Sequence, residues 1–87
     1  MLKLKKEARS ELAPNPDDLL MARIKRVLKR SGYATLSQIR VFVVEGEVFL
    51  EGQVPTYFVK QMAQTLILSL EEVKDLNNDL VVETHVN

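Results

Sequence analysis

Cysteine is absent from this 87-residue chain. That removes disulfides, thiolate metal sites and thiol redox chemistry, and with them any sign of an oxidising compartment. Histidine occurs once, as His85, close to a terminus where chains commonly fray. Nucleophilic catalysis without cysteine needs a serine or threonine with an organised base. Ser10, Ser31, Ser37 and Ser69 have no recognisable partner or elbow motif. The sequence therefore offers no catalytic residue, no metal site and no cofactor site. Long apolar runs are also missing, so no stretch is suited to crossing a bilayer. The opening Met1-Leu2-Lys3-Leu4-Lys5-Lys6-Glu7 has the charges of a signal peptide but no apolar core. As written, the chain is expected in the cytoplasm. As a trimmed piece of an exported protein, it would be envelope-associated.

Net charge is absent as well, at zero overall, but its distribution is uneven. Residues 1–40 hold ten Lys/Arg against four Asp/Glu, an excess of six positive charges. Residues 41–87 hold two against eight, an excess of six negative ones. This is either chance placement on a solvated surface or a polarised molecule that docks anions, or a copy of itself, through its basic part. A hydrophobic content of 46% with 28% charged residues is ordinary for one globular domain. A chain this short buries only about 60% of the surface its unfolded form exposes, so its stability is marginal.

Residues 1–14 read as a flexible or loosely docked tail: Leu4, Ala8 and Leu12 share a helical face, but Pro14 and Pro16 close the segment. A domain is expected over 15–84, with 85–87 as a C-terminal tail. Its first helix opens with Asn15 as N-cap, Pro16 in the first position and Asp17 and Asp18 at the positive end of the dipole. Leu20, Ile24, Val27 and Leu28 form the core stripe, and Gly32 stops the helix. The period then changes to two. Ile39, Val41 and Val43 alternate along one strand, and Val48, Leu50 and Val54 along the next, with Glu45-Gly46 as a two-residue turn. Paired residue numbers must then sum to 91, and these six side chains share the core face. A second helix starts near Thr56 and places Val59, Met62, Ala63, Leu66, Ile67 and Leu70 on one stripe. Alternation returns at Leu80 and Val82. The order is helix-strand-strand-helix-strand, an α+β fold with two helices packed on one face of a three-stranded sheet.

The string Ile39-x-Val41-x-Val43-x-x-Gly46-x-Val48-x-Leu50-x-Gly52-x-Val54, followed by Ala63, Val73 and Leu80, resembles the BON domain, a bacterial module named for osmotic-shock and nodulation proteins. The resemblance covers roughly Asp17 to Glu83. Two turns depart from the pattern: Glu45 stands where Asn or Asp is usual, and Glu72 where glycine is common. The resemblance implies a mixed sheet, contact with phospholipid membranes or envelope partner proteins, and no enzymatic activity. The fold is also similar to ring-building modules of secretion systems, which implies head-to-tail assembly as an alternative.

Several surfaces are candidates for that contact. With Leu20 at zero and about 100° per residue, Lys29, Arg26, Arg30 and Arg23 fall near 180°, 240°, 280° and 300°, a basic face within one third of the circumference. It reads either as a solvated face or as a surface for anionic lipid. Nucleic acid fits less well, because Ser31-Gly32-Tyr33-Ala34 lacks a double-glycine clamp and aromatics are not interleaved with the cations. On the hairpin, the same register puts Phe42 opposite Phe49, Arg40 opposite Glu51 and Val44 opposite Glu47, all pointing away from the helices. Val81 is expected to join them from the third strand. Three explanations stay open: a self-sufficient aromatic pair, a cover formed by Leu2, Leu4 and Leu12, or a partner, most simply a second copy. The outer side of the second helix, with Gln61, Gln64 and Leu68, is polar without charge and desolvates cheaply. Glu71, Glu72, Asp75 and Asp79 lack the spacing of a calcium loop and read as a solvated helix end and turn.

Overall fold

The computed structural model describes residues 15–83. The expectations placed on the N-terminal tail and on His85 lie outside them. Helix α1 runs Pro16–Lys29, a short 3-10 turn Ala34–Ser37 follows, and then come strands β1 (Arg40–Val44) and β2 (Glu47–Val54), helix α2 (Tyr57–Leu68) and strand β3 (Asp75–Val82). The fold is α+β. The sheet is mixed, in the order β1-β2-β3, with β1 antiparallel and β3 parallel to β2. Because β2 and β3 are parallel, the chain must cross the sheet between them, and α2 is that crossover.

Local sequence accounts for the ends of both helices. Asn15 Oδ1 accepts from the Asp17 N–H at 2.8 Å, and Thr56 Oγ1 accepts from the Val59 N–H at 3.2 Å. Each satisfies a donor that a helix start would leave unpaired. At the other end of α1, Ser31 Oγ donates to the Leu28 carbonyl at 2.7 Å and accepts from the Tyr33 N–H at 3.1 Å, while Gly32 turns the chain at φ 90°.

The hairpin has the register that the two-residue turn dictates. Val43 pairs with Val48, Val41 with Leu50, Phe42 with Phe49 and Arg40 with Glu51. Glu45 and Gly46 both have positive φ, at 50° and 85°, the signature of a type I′ turn. Strand β1 begins one residue after Ile39. Ile39 still lies across from Gly52, where an added Cβ would come within 3.2 Å of the Ile39 side chain.

The core lies between the sheet and the helices. Leu20, Ile24 and Leu28 of α1 meet Val59, Ala63 and Ile67 of α2 over Val41, Val48, Leu50, Val54 and Leu80 of the sheet. Val27 is only half-buried, and Met21, also half-buried, packs against the core. Leu36, in the 3-10 turn, closes the end of the core and is fully buried.

Candidate functional site

The helices lie antiparallel to each other, so the domain has two ends with different chemistry. At one end, the first turn of α1 meets the hairpin turn. Asp17 Oδ2 accepts from the Glu45 N–H at 2.7 Å, and Oδ1 accepts from the Gly46 N–H at 3.1 Å. The carboxylate thus holds both donors of a turn whose first residue is not the usual Asn or Asp. The Lys74 N–H donates to the Gly46 carbonyl at 2.9 Å and brings the start of β3 to the same place. Arg23 pairs with Glu72 and ties α1 to the connection between α2 and β3. Glu72, which stands where the family pattern favours glycine, therefore has a structural partner. Asp17, Asp18, Glu45, Glu47, Glu71, Glu72 and Asp75 all sit towards this end, with Lys74 and Arg23 as cationic neighbours.

At the opposite end, the last turn of α1 stands beside the start of β1. Lys25 and Lys29 line a shallow groove with Ile39 and Val41. Arg26, Lys29 and Arg30 are exposed there. The first turn of α2 reaches the same end and carries the two most exposed large apolar side chains of the described residues, Tyr57 at 64% and Phe58 at 60%. Phe58 meets Tyr33 edge-on, with ring centroids 6.1 Å apart and planes at 68°. The Glu83 N–H, just beyond β3, bonds to the Val54 carbonyl at 2.8 Å, so Glu83 is a carboxylate near this otherwise basic end.

The basic face expected from the sequence is present: Arg23, Arg26, Lys29 and Arg30 are all exposed along α1. The aromatic neighbours were not singled out in the sequence. A helical wheel holds the signal for them, since Tyr57 and Phe58 fall roughly 150° and 110° from the centre of the α2 core stripe. Nothing in the sequence says that they share an end with the α1 cations, which depends on how the helices pack.

Among the described residues, no element packs on the outer sheet face. Val44, Glu47 and Asp75 make one row across its strands, Phe42, Phe49 and Asn77 the next, and Arg40, Glu51 and Asp79 the third. Phe42 is 45% exposed and Phe49 is half-buried. Asn77 Nδ2 donates to Glu47 Oε2 at 2.7 Å, and Arg40 lies 4.0 Å from Glu51. Val81 shares this face but not the aromatic row. It pairs with Gln53, four residues beyond Asn77 or about 13 Å along the strand, and the row of Glu51 and Asp79 lies between.

The outer side of α2 keeps Gln61 and Leu68 exposed. Gln64 is instead half-buried, because Asn78 points inward from β3. Its Nδ2 donates to the Lys60 carbonyl at 3.0 Å and makes a longer 3.5 Å contact to Gln64 Oε1. That arrangement satisfies a polar side chain on the helix-facing side of the sheet and draws Gln64 away from solvent.

Among the described residues, no group of three metal-ligating side chains is close enough to hold an ion, and no helix is long and apolar enough to cross a membrane. The chain matches no curated protein. The family model for the BON domain matches residues 16–84, about four-fifths of the chain, and the protein belongs to the BON domain family.

Proposed function

We propose that this BON domain binds an anionic phospholipid surface with the end built from the last turns of α1 and the first turn of α2. The family is associated with non-catalytic binding of phospholipid or protein. One observation carries the choice of lipid. The two most exposed aromatic side chains, Tyr57 and Phe58, share an end with Arg26, Lys29 and Arg30, while most carboxylates gather at the opposite end. Rings at a membrane interface bury apolar area, and a tyrosine keeps its hydroxyl in water. Cations beside them meet lipid phosphates, and the distant acidic end is kept away from the negative surface.

The magnitudes make this a weak contact. Each cation contributes about 1 kcal/mol close to an anionic leaflet. Each ring contributes less than the roughly 1.5–3 kcal/mol of full burial. Three cations and two partly inserted rings then give about 5–6 kcal/mol, a dissociation constant on the order of 0.1 mM. Binding should fade as salt screens the cations, leaving the smaller aromatic part.

Co-sedimentation with phosphatidylglycerol vesicles at low salt tests the reading, with phosphatidylcholine vesicles as the control. The protein is expected to pellet with the first and not the second. The double variant Tyr57→Ser/Phe58→Ser should pellet several-fold less with an unchanged circular dichroism spectrum. Failure to pellet on phosphatidylglycerol, or equal pelleting on both lipids, sinks the proposal.

A further inference from the structure

The helix layer and the outer sheet face lie on opposite sides of the domain and carry opposite charge. On the outer sheet face, Glu47, Glu51, Asp75 and Asp79 face one cation, Arg40, for a net excess of three negative charges. On α1, Leu19, Arg23, Arg26 and Arg30 recur at i, i+4, i+7 and i+11, a single exposed ridge along the helix. We infer that the acidic sheet face of one molecule receives the α1 ridge of a second copy, in a head-to-tail contact. This inference is independent of the lipid reading, although both use the α1 cations.

The spacings match. The two carboxylate rows, Glu47 with Asp75 and Glu51 with Asp79, are four residues apart along the strands, or about 13 Å. Arg23 and Arg30 are seven residues apart along α1, or about 10.5 Å, and their long side chains cover the difference. Arg26 lies between them, level with the Phe42 and Phe49 row, where a guanidinium can rest on an aromatic face. The whole 14-residue helix is about 21 Å long, against about 26 Å for an eight-residue strand. Arg23 already pairs with Glu72, but that pair is exposed, and exposed ion pairs are exchanged at little cost.

Charge also selects against the symmetric alternatives. Two sheet faces brought together would set a net negative surface against its like, and two α1 ridges would set arginine against arginine. The cross pairing removes both conflicts and uses the Phe42–Phe49 pair as its apolar centre. Such a contact is heterologous, so each copy keeps one unused face of each kind and the assembly extends or closes into a ring. A three-stranded face has a footprint on the order of 400 Å², about half of the ~800 Å² per partner of a standard interface. Single contacts are therefore weak, and assembly needs high concentration.

Sedimentation velocity on the full chain at several hundred micromolar tests the inference, at low and at high salt. The expected result is a mean mass at least twice that of the monomer at low salt, falling to the monomer at high salt. Two variants at exposed positions, Glu51→Lys/Asp79→Lys and Arg26→Glu/Arg30→Glu, should each be monomeric alone. Mixed in equal amounts they should regain the high mass, since each then offers the other a complementary face. A wild-type protein that stays monomeric at low salt overturns the inference. So does association that survives in either variant alone, or a mixture that stays monomeric.

Discussion

The two ends of the domain are held by different means. At the hairpin end, α1, the β1–β2 turn and the start of β3 are joined by Asp17, by the Lys74 to Gly46 backbone bond and by the Arg23–Glu72 pair. In these contacts Asp17, the turn N–H groups, Arg23 and Glu72 satisfy one another. At the other end, Leu36 seals the core from within, and the groups outside it, Tyr57, Phe58, Lys29 and Arg30, are left to solvent. One end ties its elements together with Asp17, Lys74 and Arg23, and the other leaves its aromatic side chains exposed. Exposed aromatic area without a structural role is costly in a domain with little stability to spare, which is why the second end is the better place to look for a ligand.

Three single substitutions, one of them with a paired control, break or sharpen that contrast. Asp17→Ala removes a charged acceptor from two backbone donors, so it should destabilise by about 2 kcal/mol, read as a lower urea midpoint. Gly46→Ala should cost about 1 kcal/mol, because an alanine at φ 85° is strained and its Cβ would stand 2.9 Å from the Lys74 side chain. Pairing it with Lys74→Ala separates the two causes: any loss that remains in the double variant belongs to the backbone. Phe58→Ser, at the other end, should cost only about 0.5 kcal/mol by thermal melting, the scale of one edge-on aromatic pair. A Phe58 effect as large as that of Asp17 would make both ends structural and erase the contrast.

Much of the fold was legible in the sequence because period and turn chemistry are local. The Glu45-Gly46 turn fixed every β1–β2 pair, and Asn15 and Thr56 marked both helix starts. What escaped has no local period. Leu36 is one buried residue in a four-residue turn, too short to show a stripe. Asn78 interrupts an apolar alternation to bond α2, and it drew Gln64 off the surface on which the sequence had placed it. Asp17 looked like a partner of its own helix dipole, and its bonds to residues 28 and 29 positions away required the assembled fold. The candidate surfaces were readable as single faces of single elements. Which of them share an end, and how far Val81 stands from the phenylalanines, depended on helix packing and on the parallel register of β3.

That parallel register also has a mechanical meaning. The described chain enters beside the hairpin turn, at Asn15, and leaves at the far end, where Glu83 bonds to the carbonyl of Val54. Tension applied between those two points runs along the strands. A pull on the end of β3 against β2 would load the eight paired positions from Glu47–Asp75 to Val54–Val82 together in shear. A hairpin pulled from its open end yields one pair at a time, whereas this parallel pairing resists sliding as a block.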